Sequence, residues 1–565
     1  MTSFALSFNQ DNQLISVTTK QSQIDVEGNT SDIITALDKL CINYTKLEGD
    51  ALLIWDGKPI GISHSDITQA LKAGNYKPLH QTDGHFSFCL IESSNVYFAN
   101  DRFGAKTWYW QRQDNTLLIS TAQQLQPIDN KAFNTLSERE CFKYRWITQQ
   151  RTLHQSIDKL RYASVATLNK LSINQQAYFE LPRPNYRNDA RQLLVEKTQA
   201  ALQGSLDKAS LEYSCVAVFL SGGVDSSILA ALSQKTFKKI YVITPVFEFG
   251  ENPELATAKH FAQVLNIEPI LVSIKESDLI ADLKQLIEIK REPLRHYSSL
   301  ALMAMMRAVP NDAQAVVYGE AADTLFGSNG MKRLTIHSKW HSRLKNMPNF
   351  ALSLLRLIKP EKAKLLKSIK SKRILDIFSQ LTEIQYSASS KQIIAEYLNT
   401  DDLEVHAILK EPEAITSNLR FSAQKMIIAS DVQKHFEEME YIASLFNKAV
   451  ISPFFDTEVI KISSELSDTN FFGESHVKPV LRELACQYFP RETIYQKKYG
   501  FPVPMIRWLE EPLKELVEAV YHEAKLFDGQ AVRRLEITKD YELVWFFINW
   551  QLLHQHLEHI AQIKS

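Results

Sequence analysis

The sequence predicts an α/β chain in two parts. A strand-rich N-terminal part precedes a longer part in which strands and helices alternate around a mostly parallel sheet. Three observations predict this. Residues 1–180 are punctuated by short runs of β-branched, aromatic and alternating residues. Residues 181–190, LPRPNYRNDA, are polar, hold two prolines and break that pattern, as a linker would. From residue 191 onward a strand–turn–helix unit repeats, which implies parallel strands joined by right-handed crossovers.

In chain order, FALSF, LISVTT, ALLIW, FSFCLI and VYFAN read as strands, with WDGKP and TDGH supplying turn chemistry between them. Residues 191–204 suit a helix. VAVFL at 216–220 is a buried strand, followed by a Gly-rich turn and the helix SSILAALSQK. IYVITPVFEF is the next strand, ELATAKHFAQVL the next helix, then the strands PILVSI and AVVYG. Residues 331–375 read as helical and very basic, with 13 lysines and arginines against a single acid, Glu361; residues 401–440 are acid-rich. YELVWFFINWQLLHQHL near the end is a strongly apolar helix expected to pack into the core.

Composition bounds the class. At roughly 100–200 residues per domain, 565 residues predict two to four domains. Apolar residues at 45% and charged residues at 23% describe an ordinary globular chain. With 64 basic and 65 acidic residues the formal charge is −1, which argues against a surface tuned for nucleic acid or an anionic membrane. Cys41, Cys89, Cys141, Cys215 and Cys486 are odd in number, widely spaced and never CxxC, so reduced thiols are expected. The first residues do not resemble a signal peptide, and no stretch approaches the roughly 18 apolar residues of a membrane span. A cytoplasmic protein is the expectation.

The sharpest motif is Leu220-Ser221-Gly222-Gly223-Val224-Asp225-Ser226-Ser227, between a buried strand and a helix. Two glycines let the backbone fold against a polyphosphate, and a helix N-terminus offers unpaired N–H groups with a favourable dipole. Asp225 alone would repel phosphate, so its presence makes sense as a Mg²⁺ ligand. No GKS or GKT follows, so this is not the Walker loop. It resembles the SGGxDS loop of enzymes that cleave ATP between its α and β phosphates. A Ser/Gly turn capping a helix is the plainer alternative.

Gly319-Glu320-Ala321-Ala322-Asp323 follows the strand AVVYG, and strand ends in a parallel sheet face the ligand crevice. Asp323 is placed as the second Mg²⁺ ligand, with Glu320 pointing into the same crevice; alternatively both serve a helix dipole. In Gln496-Lys497-Lys498-Tyr499-Gly500-Phe501-Pro502, Lys498 can reach a reacting phosphate or simply sit on the surface.

In this order and spacing the three motifs resemble the asparagine synthetase family. Asp83-Gly84-His85-Phe86-Ser87-Phe88 is similar to its DGxFAF, and Asp101-Arg102-Phe103-Gly104-Ala105-Lys106 to its RDRFGxKPLYY. Ser452-Pro453-Phe454-Phe455-Asp456 is similar to RVPFLD, and Lys478-Pro479-Val480-Leu481-Arg482 to KxxLR. The resemblance implies a glutamine-amidotransferase sandwich of the N-terminal-nucleophile type over 1–180, a linker at 181–190 and an adenylating ATP-pyrophosphatase domain over 191–565. It also implies ATP as co-substrate on Leu220, Ser221, Gly222, Gly223, Asp225, Ser226, Val246 and Gly319, and Mg²⁺ on Asp225 and Asp323. Lys498 would stabilise the adenylation transition state, and Glu320 would assist deprotonation of the attacking nitrogen.

The family's glutaminase uses a cysteine at position 2, where this chain has Thr2, and the signatures RGPD, RRLxIxD and NGExYN are missing. The expected activity is therefore an amide ligase that adenylates a small-molecule or peptide carboxylate and transfers it to ammonia or an amine without hydrolysing glutamine. Members of this kind include β-lactam synthetase, carbapenam synthetase and lasso peptide cyclase, so intramolecular ring closure is an alternative. In β-lactam synthetase the position of Glu320 is a tyrosine that works with a glutamate elsewhere. A catalytically silent nucleotide- or partner-binding homologue is the alternative of another class. The basic 331–375 segment suits a partner protein, a second copy, a membrane surface or simply solvent; Pro360 interrupts it and weakens the membrane reading.

Overall fold

The computed structural model describes residues 3–27, 29–47, 51–93, 95–127, 133–144, 147, 150–187, 189–247, 253–333, 335–336, 388–398, 418–496, 503–522, 532 and 535–564. The basic segment from residue 337 and the 497–502 stretch with Lys498 lie outside them.

Two six-stranded antiparallel sheets occupy the N-terminal part. The first orders its strands Asp158–Lys159, Tyr109–Gln113, Thr116–Ser120, Phe4–Phe8, Leu14–Thr19 and Gln23–Asp25. The second runs Ser172–Ala177, Ser164–Asn169, Asn95–Asn100, Phe86–Glu92, Leu52–Gly57 and Tyr44–Lys46. Side chains alternate across a strand, and the core follows that alternation. Phe4, Leu6 and Phe8 meet Leu52, Ile54, Cys89 and Phe98 in one apolar layer between the sheets. Leu53, Phe86, Phe88 and Leu90, from the other face of the second sheet, enter a different core shared with the C-terminal part. A sheet buried on both faces favours apolar residues on both sides of its strands, which is why FSFCLI is apolar at every position but Ser87.

The third sheet is parallel, in the order Ile270–Ile274, Lys239–Phe247, Cys215–Phe219, Ala315–Val317 and Ala449–Ile451. Helices cover both faces: Val216 and Val218 point into one core, Ala217 and Phe219 into the other. The helices Val224–Thr236 and Pro253–Val264 make the first two crossovers. After Ile270–Ile274 the chain returns to the far side of Cys215–Phe219. Strand order therefore reverses between Cys215–Phe219 and Ala315–Val317, and ligands bind at such switch points.

The expected strands and helices of this part are present within a few residues of their predicted limits. Ala449–Ile451 was not anticipated; three residues carry no readable period. The closing helix spans Ile537–Lys564 with a non-helical residue at Asp540. Leu543 to Ile548 are all buried, so this part of the helix is apolar on every side, as core helices are. Residues 181–187 hold no helix or strand and are strapped down: Asn185 and Arg187 donate backbone bonds to Ser464 (3.0 Å) and Glu465 (2.9 Å). Among the described residues no helix is long and apolar enough to cross a membrane.

Candidate active site

A cavity of about 300 Å³ opens at the switch point, lined by both motifs that end the adjacent strands. Ser221, Gly223, Asp225 and Ser226 come from the first, Gly319, Glu320 and Asp323 from the second. Gly222 has φ +85°, and a Cβ there would lie 2.5 Å from the Glu254 carbonyl oxygen, so only glycine lets this turn pass beneath the helix Pro253–Val264. Gly223 caps the helix Val224–Thr236 with extended backbone and no side-chain capping bond. The first N–H groups of that 13-residue helix are thus left for a ligand. The Ser226 hydroxyl donates to the Gly223 carbonyl (3.2 Å) and lies 3.3 Å from Ser221 Oγ, which fixes the loop.

Gly319 sits against the start of that helix, where a Cβ would be 3.7 Å from Ser226 N. The turn after it is held by Ala321 at φ +70°, left-handed backbone that is uncommon outside glycine. Two expected nucleotide contacts stand apart: Leu220 is buried with its N–H bonded to Ile243, and Val246 pairs with Ser273 inside the sheet. Neither joins the cavity wall.

Lys478, noted in the KxxLR stretch but given no role by sequence, is the residue the structure adds. It precedes the helix Pro479–Ala485 at φ +60°, and its Nζ lies 2.6 Å from Asp225 Oδ2 and 2.6 Å from Asp323 Oδ1. Burial would lower its pKa, but the two carboxylates outweigh this and raise it, so the ammonium stays charged. Arg482 in the same motif donates to the carbonyls of Val477 (3.1 Å) and Ile494 and thereby ties the turn before Lys478 to the stretch leading toward Lys498.

Asp225 Oδ1 is buried without a hydrogen-bond partner. An orphaned carboxylate oxygen beside a second carboxylate, both now answered by an ammonium, suits a divalent cation. Among the described residues no cluster of three or more His, Cys, Asp or Glu forms a closed metal site, so phosphate oxygens would have to complete such a shell.

The remaining wall joins Tyr318, His435 and apolar residues including Phe219, Leu302 and Met305. Tyr318 Oη is 2.6 Å from His435 Nε2, and His435 Nδ1 is 3.8 Å from Glu320 Oε2. Burial, with Glu320 and Glu438 nearby, pushes the Tyr318 phenol well up.

His435 belongs to the helix Gln433–Leu445, whose far side is an ionic seam against the antiparallel layers. Glu440 meets His85 (2.6 Å) and Lys106 (3.2 Å), and Lys106 also meets Asp56 (3.1 Å). Glu437 takes the Tyr109 hydroxyl and lies 3.4 Å from Lys159. Glu438 accepts from Lys290 (2.5 Å) and Ser299 (2.7 Å). Burial would raise the Glu438 carboxyl, yet Lys290 and its other partners hold it at about 2. Sequence reading saw only an acid-rich stretch; nothing in the letters says that these acids are buried.

The other family-like motifs meet along the same seam. Arg102 donates to Asp83 (3.0 Å) and to the Phe455 carbonyl (2.6 Å). Lys208 bridges Asp83 and Asp456 at 2.8 Å each. Asp101 accepts the N–H groups of Phe103, Ala105 and Lys106, shaping its own turn. All five cysteines are unpaired, and burial pushes the Cys89 and Cys141 thiols well up.

Comparison with known proteins agrees with this architecture. The asparagine synthase family profile matches residues 197–555, and that of the glutamine amidotransferase domain matches residues 63–179. The chain is 22% identical over 501 residues to asparagine synthetase [glutamine-hydrolyzing] 1 of Bacillus subtilis, covering 84% of this chain and 74% of that protein. It is also 22% identical over 494 residues to a putative asparagine synthetase [glutamine-hydrolyzing] of Mycobacterium bovis, covering 82% and 73%. Among solved structures, an NH₃-dependent NAD synthetase from Campylobacter jejuni aligns with a TM-score of 0.21 and 17% identity, over 34% of this chain and 96% of that one.

Proposed function

This chain belongs to the asparagine synthase family, an ATP-using carbon–nitrogen ligase that forms AMP and pyrophosphate, and from that premise we propose the finer reading that it adenylates a carboxylate and passes the acyl group to ammonia or an amine without hydrolysing glutamine. The observation that carries it is the convergence of Asp225, Asp323 and Lys478 beside a free helix N-terminus, with Glu320 in the same cavity.

The substrate carboxylate attacks the α-phosphorus, and negative charge grows on the departing pyrophosphate. The N–H groups at the start of Val224–Thr236 face that charge. Lys478 is placed to follow it from the carboxylates to the phosphate, and Lys498 would add a second cation. Mg²⁺ held by Asp225 and Asp323 would neutralise phosphate oxygens. Glu320 then takes a proton from the nitrogen that attacks the acyl-adenylate.

The nitrogen source is argued from two features. Cys89 and Cys141 are buried with raised thiol pKa values, the reverse of an activated nucleophile, and the exposed Cys41 is far along the chain from position 2, where the family's nucleophile stands. Ammonia released among the antiparallel sheets would also have to cross a seam filled with paired charges. The apolar wall of Phe219, Leu302 and Met305 favours a carboxylate with an apolar body, which leaves ring closure on a substrate carrying its own amine as the second reading.

The test is ATP–pyrophosphate exchange across a panel of small and peptide carboxylates, with ammonium, glutamine and other amines as acceptors. Exchange with an amide product from ammonium or an amine is expected. Absence of exchange from every carboxylate would sink the ligase reading, and glutamine serving as donor would sink the nitrogen assignment. A product lighter by one water than a single substrate identifies ring closure.

A further inference from the structure

We propose that His435 is a positioning residue for amide formation: it orients Glu320 and receives from it the proton that Glu320 takes from the attacking nitrogen. This rests on the function proposed above.

The geometry is that of a three-part relay. His435 lines the cavity, with Glu320 on the Nδ1 side at 3.8 Å and the Tyr318 hydroxyl on the Nε2 side at 2.6 Å. The Tyr318 phenol stays protonated because burial raises it, so it serves Nε2 as a hydrogen-bond partner and stores no charge. With the ring proton on Nε2 donated to Tyr318 Oη, Nδ1 presents its lone pair toward Glu320. The ring also lies 4.8 Å from the His296 ring, which fixes its plane.

The charged groups around His435 are paired with one another. His296 is held near 4 by burial first, so it is neutral at pH 7 and does not repel a charged neighbour. Arg295 and Asp431, which flank these rings, are paired at 2.5 Å, and Asp431 is also 3.2 Å from His296. Glu438, behind Tyr318, is occupied by Lys290, and Lys434 on the same helix is occupied by Glu292 and Glu437. Asp225 and Asp323 are tied to Lys478. Among the described residues, Glu320 is the carboxylate within ion-pair distance of His435, at 3.8 Å, and it pairs with the ring once the ring is protonated.

The step balances. The amine lone pair forms the C–N bond at the acyl carbon, and its N–H proton passes to a Glu320 oxygen, then to His435 Nδ1. The carbonyl re-forms as the acyl–oxygen bond to AMP breaks, and AMP leaves with that electron pair. The imidazolium releases its proton to the solvent-connected cavity.

Two measurements test this. In protein carrying ¹³C-labelled histidine rings, H435Q identifies the His435 signal. Its titration midpoint should fall in E320Q, because the opposite charge at 3.8 Å is lost. With the carboxylate and amine found by the exchange screen, H435Q should slow amide formation by roughly 10²-fold or more. Pyrophosphate exchange should fall at least about tenfold less, and the acidic limb of the amide-formation pH profile should disappear. An unmoved midpoint in E320Q overturns the relay, as does equal loss of both half-reactions with the acidic limb intact. No exchange in the unsubstituted protein overturns the ligase reading instead, and the histidine titration then still reports on the Glu320–His435 pair.

Discussion

The ammonium of Lys478 lies 2.6 Å from Asp225 Oδ2, delivered there by a left-handed backbone at φ +60°. The same ammonium reaches Asp323 at the same distance, so one cation holds together two carboxylates from adjacent strand ends. Two close carboxylates repel each other unless a cation intervenes. In the free protein Lys478 fills that role, and ATP with its metal would displace it toward phosphate.

Replacing Lys478 with methionine should therefore lower ATP–pyrophosphate exchange by roughly 10²–10³-fold, the usual cost of losing one electrostatic stabiliser. Thermal melting alongside the kinetics separates this from misfolding. A folded K478M variant with full exchange would remove Lys478 from the chemistry.

Asp225→Asn and Asp323→Asn should each abolish most exchange, and residual activity should demand more Mg²⁺. The check is a magnesium titration of exchange for both variants. Full exchange in D225N at ordinary magnesium would mean that the metal is held elsewhere.

Gly222→Ala forces a Cβ into φ +85° backbone, 2.5 Å from the Glu254 carbonyl oxygen. Strain of this kind costs about 1–3 kcal/mol. Denaturant unfolding should show that loss, and the KM for ATP should rise because the loop must shift to relieve the contact.

Glu438→Gln tests the ionic seam through its pH dependence. The Glu438 carboxyl is held at about 2 in the folded chain against 4.5 when free. Its stabilisation is therefore fully present above about 4.5 and is lost as pH falls from there through about 2. At pH 7 the variant strands Lys290 and should lose about 3 kcal/mol. Unfolding curves of the two proteins should converge between pH 4.5 and 2, and parallel curves would show that the pair carries no net stabilisation.

The parts of the fold legible in the sequence are those with local signals. Cys215–Phe219 and the Gly222–Gly223 turn announce themselves because a buried strand, a left-handed glycine and a helix start leave marks within about ten residues. Gly319, Glu320 and Asp323 are found the same way. Lys478 and His435 are different. Each reaches the site from a distant part of the chain: the family-like stretch around Lys478 carries no sign of what its ammonium meets, and a lone His in a helical stretch has no local pattern to betray its destination. Glu437, Glu438 and Glu440 even mislead, since acids at that density ordinarily mark solvent, and only their Lys and His partners far along the chain reveal the burial. Val246, placed by family likeness, pairs with Ser273 in the sheet, and its side chain does not line the cavity.

The helix Gln433–Leu445 has one further consequence. It offers His435 to the cavity on one side and commits Glu437 and Glu440 to Tyr109, Lys159, His85 and Lys106 of the antiparallel layers on the other. Deleting the N-terminal half would strip Glu440 of His85 and Lys106 and leave Glu437 with Lys434, on the element that shapes the site. The antiparallel half is thus the electrostatic counterpart of the helix that shapes the ATP site.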